Sequence, residues 1–297
     1  MSENVMRDRA NIGPASERAL EYLPEDANPL GTMRAVGPTV CALLGVEIPR
    51  RAEEEPVAEV VEVLAGAGRI AHIVIDAFGI ATWKCHANVS HMFNRLAGVR
   101  QWELQSVLPA ATAMNFATIA TGASPETHTI RSREEQLTLD TTFARLREAG
   151  KTSAVCGRAL STAGILLAPH SDHPGVAGSN TDKEVMELLV ARAAEGVDYI
   201  LAQLLDIDEA GHRDGPFGLL THQAVGRTDY RLRNMVRAAA EGGYALILQA
   251  DHGQHDVEPE DGAPEGMKGT HSGRRQEDVR VPFICLANDE LRDVIAS

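Results

Sequence analysis

The sequence predicts an α/β fold with a mostly parallel sheet covered by helices on both faces. Short β-branched apolar runs recur along the chain, helical stretches separate several of them, and most end in a polar residue beside glycine. RIAHIVIDAFG shows the pattern first, its dense run 69–75 stopping at Asp76. It returns in TSAVCG at 152–157, DYILAQLLDID at 198–208, YALILQADHG at 244–253 and VPFICLA at 281–287. Sheets of this kind bind ligands beyond the carboxyl ends of their strands.

The elements follow in order. Residues 1–30 are polar and carry Pro14, Pro24 and Pro29, which predicts an irregular arm ahead of a single catalytic domain over 31–297. A short apolar helix is expected around 37–45, closed by Gly45 and Pro49, and a second over 56–68 that exits through Gly66 and Gly68. LPAATAMNFATIATGASPETH, 108–128, begins as a loop and continues as a helix. Further helices fit 141–150 and 219–241, and 254–275, rich in acidic residues, prolines and glycines, reads as a solvated loop between two strands.

The 297 residues include 28 basic and 42 acidic side chains, a net charge of −14. That balance argues against a polymeric nucleic-acid surface or an anionic membrane, while leaving room for a small anionic substrate where local cations dominate. Cys41, Cys85, Cys156 and Cys285 are too dispersed for a disulfide framework. The N-terminus lacks the apolar core of a signal peptide and no run of 18 apolar residues occurs, so a cytoplasmic location is expected. Oligomeric state is not legible.

The strand ends carry the chemistry. Asp76, Asp208 (with Asp206 two residues earlier) and Asp251 would converge at one rim, and like charges crowded there need cations to neutralise them. A dinuclear metal site would do so. Asp208 stands four residues before His212 across a glycine turn, Asp251 adjoins His252, and His271 sits in GTHSG. Imidazole mixed with carboxylate suits zinc, or manganese or iron, better than magnesium. Thr112 and Asn115 fall near the start of the 108–128 helix, where free backbone N–H groups favour anions. A threonine hydroxyl bound to a dication can become a nucleophile toward phosphorus, and an amide three residues on could bind a phosphoryl oxygen. Equally, Thr112 could simply cap the helix.

The ordered set IDAFG, TAMNFATIATGASPETH, DIDEAGHRDGP, ADHG and GTHSG, spread over residues 69–285, resembles the alkaline phosphatase superfamily, and most of all its nucleotide pyrophosphatase/phosphodiesterase branch. The resemblance implies an alkaline-phosphatase-like three-layer sandwich. It implies one metal held by Asp208, His212 and His271 and a second by Asp76, Asp251 and His252, with Thr112 as nucleophile between them and Asn115 at the oxyanion position. The implied activity is hydrolysis of a phosphodiester or nucleotide pyrophosphate bond in a small phosphate-containing substrate, through a phosphothreonine. A phosphomonoesterase or a carbon–phosphorus hydrolase with the same core is the alternative, and a non-catalytic metal-binding scaffold a more distant one. No cysteine has the Cys-x-Pro-x-Arg context of sulfatases, and no arginine lies between Gln101 and Arg131, unlike the clamp of alkaline phosphatases proper.

Two departures stand out. The family commonly reads His-Gly where this chain has His128-Thr129, so a different turn is expected there. VGPTVCALLGVEIP at 36–49 resembles a segment that usually follows the last strand, which suggests either a circular permutation, with helix 37–45 docked near strand 281–286, or chance likeness. Other polar residues read as bystanders: Cys85, His86, His91, His128, His170, His173 and His222 as packing or surface groups, Asp206 as facing away from the ligands or supporting one, His255 as a candidate proton shuttle, and Lys84, Lys151 and Lys268 as surface cations.

Overall fold

The computed structural model describes Leu23 and residues 29–271, 273 and 275–297. Of the predicted arm 1–30, all but Leu23, Pro29 and Leu30 lies outside the described residues. The chain enters through strand β1 (Gly31–Thr32), helix α1 (Val36–Leu43) and α2 (Ala58–Val63), then the first long strand, β2 (Ile70–Ile75). Helices α3 (Ile80–Cys85) and α4 (His91–Val99), strand β3 (Trp102–Gln105), and helices α5 (Thr112–Thr121) and α6 (Thr142–Glu148) follow. The second half runs β4 (Ser153–Arg158), β5 (His173–Ala177), α7 (Asp182–Glu195), β6 (Tyr199–Leu204), α8 (Asp206–Asp214), α9 (Leu219–Glu241) and β7 (Ala245–Gln249). A small ribbon of β8 (His255–Asp256) and β9 (Gly269–Thr270), then β10 (Arg280–Leu286) and α10 (Asn288–Ala296), complete it.

Eight strands form the central sheet in the order β1-β3-β10-β7-β2-β6-β4-β5. All pairings are parallel except those of β10 with β3 and β7. β10 is reached from β7 by the 250–279 excursion without a long crossover helix, which permits its reversed direction. Strands β2, β4, β6, β7 and β10 are buried at every position, in keeping with their mostly apolar sequences. Helices α7 and α9 pack together, with α7 on β4 and β6, α9 on β7, and α10 and α4 alongside α9. A separate group covers the sheet through α6 on β4 and α2 on β10, with α1 packed on α5 and α6. Helix 37–45, expected to dock on strand 281–286, instead has α2, α5 and α6 as its main partners, and it is α2 that packs on β10.

The rim geometry follows from the register. β2 lies between β7 and β6, with Val74 opposite both Gln249 and Gln203, so the three strands end level. Asp76 follows β2 and Asp251 follows β7 by one residue more. The turns after them approach so closely that a Cβ on Gly79 would sit 2.7 Å from the Gly253 Cα, and one on Gly253 2.0 Å from the Glu277 carbonyl oxygen. Both glycines are there for backbone contact.

Asp208 corrects the strand-end expectation. β6 stops at Leu204, and Asp206–Asp214 is a helix, so Asp208 and His212 meet as an i,i+4 pair on one helical face and Gly211 lies inside the helix rather than in a turn. Carboxylates in a first turn favour that helix over a longer strand. Its start is fixed by buried Asp182, which accepts from the Leu205 and Asp206 N–H groups while paired at 2.7 Å with Arg158.

Thr129 takes φ 62°, the left-handed conformation that favours glycine. A β-branched residue there stores strain of about 1 kcal/mol or more. Thr129→Gly is expected to raise the thermal midpoint by a few degrees, read by calorimetry; a lowered midpoint would show that the threonine side chain outweighs the strain.

Candidate metal centre

The three carboxylates meet. His252 Nε2 lies 3.4 Å from Asp76 Oδ1 and 3.4 Å from Asp251 Oδ2, all three side chains being buried. Beside them, Asp208 Oδ1 lies 3.3 Å from His212 Nε2 and 4.0 Å from His271 Nε2. The His252 and His271 rings stack with centroids 4.0 Å apart and join the two clusters. Asp76, Asp251 and His252 form one group with metal-ligand spacing, and Asp208, His252 and His271 a second. His212 reaches that second group through Asp208.

Each imidazole is oriented from behind. Nδ1 of His212 faces the Gly269 carbonyl at 2.8 Å, Nδ1 of His271 faces Ala110 at 2.7 Å and Nδ1 of His252 faces Gly253 at 3.0 Å. A carbonyl only accepts, so Nδ1 carries a proton in each ring and Nε2 is the nitrogen that faces the carboxylates, able to ligate once the ring is neutral. The carboxylates are braced too. Gln203 Nε2 donates to Asp76 Oδ2 at 2.6 Å, and Gln254 Nε2 to Asp208 Oδ1 at 2.7 Å. These two glutamines were not singled out in the sequence; a glutamine inside the apolar run of β6 was the available signal for Gln203.

Electrostatics show the same need for cations. Burial, with the charges of Asp251 and Asp208, raises Asp76 well above the carboxylate range. Burial and Asp208 push Asp251 up to about 7. Burial also acts to raise Asp208, yet the hydrogen bond and charge of His212 hold it at about 2, while His212 itself, despite its burial, is carried up to about 9 by Asp208. Burial and neighbouring His252 lower His271 to about 4. Asp251 Oδ2 is buried without a hydrogen-bond partner among the described residues, an orphan acceptor among lone pairs. Such donors fit divalent cations, which would replace the missing partners and cancel the repulsion.

Thr112 stands at the edge of this cluster. Its Oγ1 lies 3.0 Å from His252 Nε2 and 3.4 Å from Asp76 Oδ1. It is the first residue of α5; Ala111 holds the cap position and no side chain caps the helix, so the capping alternative fails and the hydroxyl faces the carboxylates. Asn115 is fully buried one turn on, its Oδ1 accepting from Val107 N at 3.1 Å and its Nδ2 donating to the Ala111 carbonyl at 3.2 Å. The amide thus fastens the 107–111 loop that delivers Thr112. An open cleft of about 260 Å³ begins at Thr112 and Ala113 and continues along Ser132, Arg133, Glu134 and Thr162.

Other sequence candidates stay out of the centre. His255 is buried between Asp278 at 2.7 Å and Asp261 at 3.2 Å, where it ties loops together rather than shuttling protons. Asp206 turns to Arg158 and, at 2.7 Å, Arg231. His86 pairs with His222 at 3.2 Å and the Pro216 carbonyl at 2.9 Å, and Lys268 lies 3.7 Å from Asp214.

Asp251 offers a test with a sign. A carboxyl raised in the folded state contributes stability that is complete below its unfolded value near 3.8 and lost as pH rises through about 7. In chelator-treated protein, Asp251→Asn should therefore raise the thermal midpoint at pH 8 and change it little at pH 5. The same variant should abolish the upward shift that added zinc produces. A midpoint lowered at pH 8 without metal would contradict this electrostatic account.

The type I phosphodiesterase / nucleotide pyrophosphatase family model matches residues 161–268, a stretch that holds Asp208, His212, Asp251 and His252. No curated sequence matches the chain. Among solved structures, phosphonoacetate hydrolase from Sinorhizobium meliloti 1021 in complex with phosphonoacetate superposes with a TM-score of 0.53 at 13% identity, over 77% of this chain and 95% of that one. Human ectonucleotide pyrophosphatase / phosphodiesterase 5 gives 0.56 at 12%, over 74% and 89%. The C-terminal periplasmic domain of EptC from Escherichia coli, in complex with Zn, gives 0.53 at 11%, over 77% and 75%. At these identities the likeness is one of fold. No described helix is long and apolar enough to cross a membrane. The chain thus carries the fold of the alkaline phosphatase superfamily and, over residues 161–268, matches its type I phosphodiesterase / nucleotide pyrophosphatase family.

Proposed function

We propose that residues 31–297 act as one catalytic unit, a two-metal phosphohydrolase that cleaves phosphodiester or nucleotide pyrophosphate bonds in small substrates through Thr112. The observation that carries this reading is the Thr112 hydroxyl, released from capping and aimed at the Asp76 and His252 side chains within 3.4 Å. Asp208, His212 and His271 would hold one dication, and Asp76, Asp251 and His252 the other. The imidazole-rich donors favour zinc, with manganese or iron as alternatives. When bound, the pair would lower the pKa of the threonine hydroxyl and offset charge building on the phosphoryl oxygens.

The chain's own groups supply the rest. The N-terminus of α5 presents its free N–H groups and dipole beside the reacting oxygen. The Thr112 oxygen attacks phosphorus, and the bond to the leaving-group oxygen breaks on the opposite side. Water then cleaves the phosphothreonine, releasing the phosphate product and returning the hydroxyl. Asn115, expected at the oxyanion position, positions Thr112 through the 107–111 loop, its fully buried amide hydrogen-bonded to Val107 and Ala111. The family match and the phosphonate- and nucleotide-processing neighbours support a phosphorus-centred reaction. The buried thiols of Cys41, Cys156 and Cys285 support a cytoplasmic location.

Thr112→Ala should lower turnover about a thousandfold or more with metal content and thermal midpoint nearly unchanged. Retained turnover removes Thr112 as nucleophile. Bis-p-nitrophenyl phosphate, p-nitrophenyl phosphate and phosphonoacetate, compared side by side, separate the diesterase from a monoesterase or carbon–phosphorus hydrolase. Diester hydrolysis should lead, and a strong preference for either rival substrate overturns the assignment.

A further inference from the structure

The cleft that opens at Thr112 carries one guanidinium, Arg133, that the proposed chemistry leaves without a task. Ser132, Arg133 and Glu134 form one side and Thr162 part of the other. Arg133 is the one cation among these lining residues, and its side chain is 45% exposed. Only its Nε is engaged, donating to Glu134 Oε1 at 3.1 Å; Nη1 and Nη2 have no partner among the described residues. Glu134 is itself 64% exposed and accepts from Ser132 Oγ and the Arg133 guanidinium, so this local pair is solvated and weakly held. Two parallel N–H donors of a guanidinium match two oxygens of a phosphate or carboxylate.

The opposite wall is rigid and coupled to the centre. Gln203, which donates to Asp76, accepts from the Ala163 N–H at 2.8 Å, so the same side chain sets a carboxylate of the centre and the residue after Thr162. Thr162 is buried, and the structure shows no hydrogen bond from its hydroxyl to another described residue. A molecule of net charge −14 gains little from attracting anions at long range, so a guanidinium with free donors lining the same cleft as Thr112 marks a local anion site.

We propose that Arg133 is a specificity-determining residue that binds a second anionic group of the substrate, adjacent to the phosphorus that Thr112 attacks. The substrate class selected is then a pyrophosphate, with two linked phosphates, over a simple diester with one. This rests on the phosphohydrolase reading above and narrows it.

Two measurements test it. With the metal-loaded enzyme, kcat/KM for diadenosine pyrophosphate should exceed that for bis-p-nitrophenyl phosphate, and Arg133→Gln should reduce this ratio tenfold to a hundredfold, the worth of one charge-assisted hydrogen-bonded contact. The loss should lie chiefly in KM, and Arg133→Lys should recover part of it. A ratio that Arg133→Gln leaves unmoved, or equal losses on both substrates, overturns the proposal. Independently of turnover, calorimetry on metal-loaded Thr112→Ala protein should show adenosine diphosphate binding more tightly than adenosine monophosphate, with Arg133→Gln erasing the difference. Equal affinities before the substitution overturn the subsite. Should neither substrate be hydrolysed while the affinity difference holds, the catalytic reading fails and the anion site stands.

Discussion

Three carboxylates held side by side, away from water, are what this fold has to accommodate. Asp76 and Asp251 issue from neighbouring strands and Asp208 from the helix that follows the next strand, so the level ends of β7, β2 and β6 leave them no room to separate. The apolar burial that makes the sheet stable also removes the solvent that would screen them. Everything around the rim answers that constraint. Histidine nitrogens turn inward, Gln203 and Gln254 donate to the acids, and Gly79 and Gly253 let two backbones touch so that the acids can sit close. A dication is the natural counterpart of such an arrangement, and a hydroxyl placed against it becomes reactive for the same electrostatic reason.

The sequence displayed much of this, and unevenly. Apolar runs that end in acid and glycine identified the sheet and the rim because burial on both faces leaves no alternation to confuse with a helix, and the convergence of strand ends brought Asp76, Asp208, Asp251 and the three histidines together on paper. The boundary at Leu204 was not legible: DYILAQLLDID reads as one continuous run, and only the acidic first turn hints that the chain changes from extended to helical there. The reversal of β10 depends on the path of a loop, which composition does not encode. Nor could local sequence decide whether Thr112 capped α5. That depended on where Ala111 fell, a difference of one residue.

Residues that bear on chemistry indirectly were the hardest to see. Gln203 looks like an oddity in a strand, yet it links Asp76 to the 163 amide and so ties the centre to the cleft beside it. Arg158 and Asp182 form a buried pair far from the candidate ligands in sequence and set the start of α8, hence the direction of Asp208. Asn115 illustrates the converse: a residue expected at the oxyanion is found with its amide spent on holding the loop that delivers Thr112.

The carbonyls behind the three imidazoles belong to different stretches of chain: Gly253 just after β7, Gly269 in the short ribbon and Ala110 ahead of α5. Cations gathered by these rings would therefore act as a clasp across peripheral segments that share little else. Their departure would leave the sheet standing while the excursion between β7 and β10 came free of the loop before α5, so the first part of the molecule to loosen would be its catalytic rim.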